Sequence, residues 1–94
     1  MYATIRSYAS DGGLVDAVVE NEGEIRDRIG GIAGFRAYYM LRTSDGGAVS
    51  ISIFDDAAGA DASSSVAADW VRDNLPDRAA APPERMSGEV ALSF

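Results

Sequence analysis

The sequence has no cysteine and no histidine, and all eight of its basic residues are arginine. Without cysteine there is no disulfide and no thiolate nucleophile. Without histidine there is no imidazole to move protons near neutral pH, and most transition-metal sites lose their usual ligands. No metal and no cofactor are expected. Also missing is any run of about eighteen apolar residues, so no membrane span is predicted. Residues 1–8 alternate like a strand and lack the apolar core of a signal peptide, which makes the cytoplasm the expected location. Fifteen acids against eight arginines leave a net charge of −7. A surface of that sign repels phosphate backbones, so nucleic acid is not an expected partner.

The 94 residues make one domain, spanning 1–94. A chain this short buries only about 60–65% of its unfolded surface, so a second subunit would add stability. Residues 2–9 read as a short strand with Ala3, Ile5 and Ser7 on one face and Tyr2, Thr4, Arg6 and Tyr8 on the other. After the break at Ser10-Asp11-Gly12-Gly13, in which Asp11 or Ser10 can cap, apolar spacing predicts a helix over 14–32 with Gly23 as its weak point. A second helix is predicted over 57–75, capped by the Asp55-Asp56 pair and stopped by Pro76. Residues 76–83 read as a stiff extended connection, and 89–94 as a last strand with Val90, Leu92 and Phe94 in alternation.

Between the helices lies the clearest signal. Two apolar runs, 35–41 and 48–54, flank Thr43-Ser44-Asp45-Gly46-Gly47, the mark of a β-hairpin. A two-residue turn at Asp45-Gly46 would mix aliphatic and charged residues on each face. A three-residue loop with Gly46 in the left-handed region pairs Tyr39 with Ile51 and separates them cleanly, and that register is favoured. It gathers Phe35, Ala37, Tyr39, Leu41, Val49, Ile51 and Ile53 on one face, expected with Ile5 to lie under the helices. Arg36, Tyr38, Met40, Arg42 and Phe54 fall on the other face, with Ser50 and Ser52. There they are expected to dock a second copy of the chain.

The predicted order β-α-β-β-α-β is an α+β, ferredoxin-like sandwich: a four-stranded antiparallel sheet with two helices on one face. The opening strand Tyr2-Ala3-Thr4-Ile5-Arg6, the Gly34-Phe35 start of the second strand with Tyr38-Tyr39, the Ser52-Ile53-Phe54-Asp55 end of the third, and Asp69-Trp70-Val71 carry a resemblance. The chain resembles the dimeric α/β-barrel superfamily, and within it the antibiotic-biosynthesis-monooxygenase-like domains. The resemblance implies a homodimer whose sheets form a barrel, with a pocket between sheet and helices in each subunit. It also implies two activities known in the superfamily: cofactor-independent oxygenation of polyketide-type phenols, and oxidative haem degradation. This chain departs from both patterns. It has no histidine to ligate iron, Val66 stands where the oxygenases carry an asparagine four residues before the tryptophan, and the first strand has Thr4, Arg6 and Tyr8 where the haem degraders carry theirs.

Candidate ligand-pocket residues are Trp70, Tyr39, Tyr8 and Arg6. A lone helix tryptophan is more commonly core or interface than pocket, and strand tyrosines serve burial first. Arg6, with Arg36 or Arg42, is expected on the sheet's non-helical face, where it would receive an anionic ligand or, more commonly, pair with acids across the dimer. Two functions stand at this point. One is a small homodimeric α/β-barrel domain that binds an aromatic or polyketide-like small molecule, or serves as a ligand-sensing or purely structural module without chemistry of its own. The other is a cofactor-independent monooxygenase of the antibiotic-biosynthesis type.

Overall fold

The computed structural model describes residues 1–79 and 82–94. Strand β1 (Tyr2–Tyr8) is followed by helices α1 (Leu14–Glu20) and α2 (Glu22–Gly30), then by the hairpin of β2 (Phe35–Arg42) and β3 (Ala48–Phe54). Helix α3 (Ala57–Asn74), the short α4 (Pro76–Ala79) and strand β4 (Glu84–Glu89) complete the order. The strands form one antiparallel sheet in the order β2-β3-β1-β4. This is the ferredoxin-like α+β arrangement predicted from the sequence.

Local chemistry accounts for most boundaries. The Asp11 carboxylate accepts the Val15 N–H at 2.9 Å at the start of α1, and Asp56 accepts the Gly59 N–H at 3.0 Å at the start of α3. The first predicted helix is two helices, and the break falls at Asn21 (φ −111°, ψ 31°), not at Gly23. The Asn21 amide donates to the Ala17 carbonyl at 2.7 Å, offering the backbone an alternative to continuing the helix. The expected extended connection is also corrected: residues 76–79 are helical, with Pro76 at the first helical position, where its fixed φ fits. Residues 80–81 of that connection lie outside the described residues.

The hairpin takes the three-residue loop. Gly46 has φ +87°, Thr43 N–H donates to the Gly47 carbonyl at 3.1 Å, and Tyr39 pairs with Ile51. A residue with a Cβ at Gly46 would be strained in this left-handed conformation.

The two faces of the sheet, however, are the reverse of the expectation. Along β3, Ala48, Ser50, Ser52 and Phe54 are buried beneath the helices, while Val49, Ile51 and Ile53 look outward half-covered. β1 follows, with Thr4, Arg6 and Tyr8 buried. The residues expected to dock a second copy therefore lie on the helix side. Phe54 is fully buried, Tyr38 and Met40 pack against the core, Arg36 pairs with Asp55, and Arg42 reaches Asp11 and Asp16. Phe35 packs against the core on the helix side as expected, because an irregularity between Phe35 and Ala37 brings it onto the Phe54 face, ring centroids 5.7 Å apart in an edge contact. Alternation tells which residues share a face. Which face the helices cover depends on the path of the crossover connections, a long-range property.

The last strand is also displaced. β4 lies at Glu84–Glu89, and Tyr2 pairs with Glu89, so the ladder runs out where β1 begins. The Val90 N–H still bonds the Met1 carbonyl at 2.9 Å, but Leu92 and Phe94 beyond it are exposed.

Candidate functional site

The pleat of β1 aims Thr4, Arg6 and Tyr8 at α3, and the antiparallel register places Ser52, Ser50 and Ala48 of β3 beside them in turn. α3 approaches closely because it presents Gly59, Ala60, Ser63 and Ser64. Arg6 is enclosed between the two layers and only 2% exposed. Its Nε donates to Ser50 Oγ at 2.9 Å, Nη2 to Ser52 Oγ at 2.7 Å, and Nη1 to Ser64 and Ser63 Oγ at 3.0 and 3.4 Å. Ser63 in turn donates to the Ala60 carbonyl at 2.7 Å, and the Thr4 and Ser64 hydroxyls lie 3.5 Å apart.

Four hydroxyls solvate the guanidinium without neutralising it. Burial pulls the Arg6 pKa below its usual value; Tyr38 and Tyr8 oppose this and Arg85 adds to it. Guanidinium is so strong a base that the charge remains. Among the described residues no carboxylate forms an ion pair with Arg6, a costly arrangement for a buried cation.

Arg6 forms part of the wall of a cleft of about 420 Å³, lined also by Tyr8, Ser64, Ala68, Val71, Arg72, Pro82, Pro83 and Arg85. Arg85 stands directly opposite Arg6 on the β1–β4 ladder. Next to the cleft, sharing Tyr8 and Val71 with it, is a void of about 20 Å³ bordered by Trp70, Tyr38 and Ser50, room for about one water. Trp70 is 2% exposed, and its buried indole N–H donates to no described group. Burial raises the Tyr38 pKa, with Arg6 pulling the other way. A separate groove of about 410 Å³ runs between α1, α2 and β2, past Val19, Phe35 and Met40.

Of the four predicted pocket residues, Arg6 and Tyr8 meet at the cleft and Trp70 borders the adjoining void. Tyr39 lies on the opposite face of the sheet, 55% exposed. Sequence reasoning missed the serines and Arg85. A signal for the serines existed: Ser50 and Ser52 occupy one face of a strand whose other face is aliphatic, and Ser63-Ser64 fall in the contact stripe of α3.

By sequence, the chain matches no family model and no curated protein. By structure, it superposes on a putative antibiotic biosynthesis monooxygenase from Nitrosomonas europaea with a TM-score of 0.72 at 19% identity, covering 98% of this chain and 100% of that one. The fold is that of the antibiotic biosynthesis monooxygenase-like proteins. The ActVA-Orf6 monooxygenase of Streptomyces coelicolor, in complex with nanaomycin D, has this fold at a TM-score of 0.71 and 14% identity, over 99% of this chain and 89% of that one. SnoaB, a cofactor-independent oxygenase from Streptomyces nogalater, follows at 0.58 and 14%, over 99% and 95%. The resemblance read from the strand openings and the Trp70 helix thus holds at the level of the fold. Within the fold, the described residues lining the Arg6 cleft include no carboxylate and no imidazole. Such a wall can bind and orient a ligand, but offers few groups able to exchange protons near neutral pH. Among the described residues, no helix is long and apolar enough to cross a membrane.

Proposed function

We propose that this chain is a small-molecule-binding protein that works as a homodimer in the cytoplasm, taking an aromatic or polyketide-like ligand between its sheet and α3. The observation that carries the reading is the cleft of about 420 Å³ beside the buried Arg6, since ligand pockets commonly run from about 300 to 1,000 Å³. Tyr8, Val71, Pro82 and Pro83 supply flat and apolar walls for such a ligand. The nanaomycin D bound by the Streptomyces coelicolor neighbour supports the same class. Binding is favoured over oxygenation because Val66 stands where the oxygenases carry their asparagine and the described lining of the cleft includes no carboxylate and no imidazole.

The subunit interface is proposed on the uncovered face of the sheet. Ile5, Val49, Ile51 and Ile53 are only half-covered there, and Tyr39, Leu41 and Met86 are exposed. A second copy of the same face would bury both aliphatic surfaces. Leu92 and Phe94, strand-like in sequence and exposed in the monomer, lie in a segment that can extend the contact onto the partner.

Native mass spectrometry of the purified protein tests both parts. The expected result is a dimer that carries, or takes up from a panel of aromatic polyketides, one small molecule per subunit. A monomer would remove the proposed interface, and failure to retain any of the panel would remove the ligand.

A further inference from the structure

We infer that the ligand of this cleft is an anion, a small aromatic molecule bearing a carboxylate or ionised phenol, and that Arg6 and Arg85 receive the charge. The inference rests on the small-molecule reading above. It comes from the distribution of the arginines. Arg26, Arg28, Arg36, Arg42 and Arg72 each pair with an acid. In a chain with fifteen acids, Arg6 and Arg85 have no such partner among the described residues.

These two are neighbours. They face each other across the β1–β4 ladder and line the same cleft. Like charges opposed on adjacent strands repel, and one of this pair is also withdrawn from water. An anion between them would relieve both penalties: the exposed Arg85 offers its donor fork to a carboxylate or phenolate, while Arg6, whose Nε and both terminal nitrogens already donate to serines, adds its charge and its remaining N–H. The serines already fix the orientation of Arg6, so little side-chain freedom would be lost on binding. The remaining walls, Tyr8, Ala68, Val71, Pro82 and Pro83, favour an organic frame over inorganic phosphate. Arg72, already balanced by Asp69 and Asp73, contributes shape more than charge.

Titration calorimetry of the full chain with 2-naphthoate and anthraquinone-2-carboxylate, each against its methyl ester, tests the inference. The acids are expected to bind roughly tenfold or more tighter than the esters, the scale of a charge-assisted hydrogen bond. Arg85→Gln, a change on an exposed edge strand that leaves the core intact, is expected to erase most of that preference. Arg6→Gln, checked for folding by circular dichroism, is expected to do the same. Equal affinity for acid and ester, or a full preference retained in Arg85→Gln, overturns the anion assignment and leaves the small-molecule reading standing. Equal competition by inorganic phosphate overturns the aromatic frame. No binding of acid or ester at about 1 mM overturns the small-molecule reading and this inference with it.

Discussion

Arg6 shows how far a residue's environment can depart from its type. Arginine is almost never fully buried without a charged partner, yet here four hydroxyls surround it. The shortest of these bonds, Nη2 to Ser52 at 2.7 Å, should be the most informative to remove. Ser52→Ala is expected to lower stability by about 1.5–3 kcal/mol, the usual range for hydrogen bonds to charged groups. Ser63→Ala, whose contact is 3.4 Å, should cost less; urea denaturation of both variants checks the order. Tyr38 gives a pH dependence. Its folded pKa is raised by burial, so the unfolded chain releases that proton first. The stability it contributes is complete below about pH 10 and lost as pH rises toward the folded value. Urea midpoints measured upward from about pH 9 should fall more steeply in the wild type than in Tyr38→Phe. Parallel curves would contradict the raised value. None of this was visible in the sequence, where Arg6 and Tyr38 belong to strands whose alternation is equally compatible with either face.

At the scale of elements, the packing of α3 on β3 determines how closely the serines approach Arg6. Gly59 sits at the closest point. A Cβ there would meet Phe54 Cδ2 at 2.7 Å, Phe54 Cγ at 3.0 Å and the Ala33 carbonyl at 3.1 Å. Alanine favours a helix by about 1 kcal/mol over glycine, but Gly59→Ala is expected to destabilise by about 1–3 kcal/mol through overpacking. Gly23 is the internal control, since nothing lies within 4 Å of a Cβ built there. Gly23→Ala should stabilise by about 0.5–1 kcal/mol, and thermal melts of the two variants should move in opposite directions. The sequence marked Gly23 as a weak point but gave no sign of the closeness at Gly59. Helix propensity is local, whereas close approach depends on which strand lies beneath.

At the scale of the whole molecule, a four-stranded sheet with helices on one face leaves the other in need of cover. That face carries Ile5, Val49, Ile51 and Ile53, and a charge at its centre should oppose assembly while sparing the core on the far side. Ile51→Asp is expected to convert the proposed dimer to a monomer by sedimentation velocity, with the far-ultraviolet circular dichroism of the wild type. A variant that stays dimeric would place the interface elsewhere. The aliphatic set was legible as a set from the hairpin register. Its role was not, because an apolar strand face looks the same whether a helix or a second subunit covers it.

The sequence by itself determined the order of the strands and main helical segments, the three-residue hairpin loop at Gly46 and the cap at Asp56. Each of these is encoded within a few residues, through alternation, turn conformation or one side chain bonding a nearby N–H. Only the tertiary structure decided that the helices cover the polar face of the sheet, that the ladder ends at Glu89, and that Arg6 and Arg85 share one cleft with no acid among its described lining residues. Those outcomes depend on where distant segments cross and which strands become neighbours, and no short stretch of this chain contains that information.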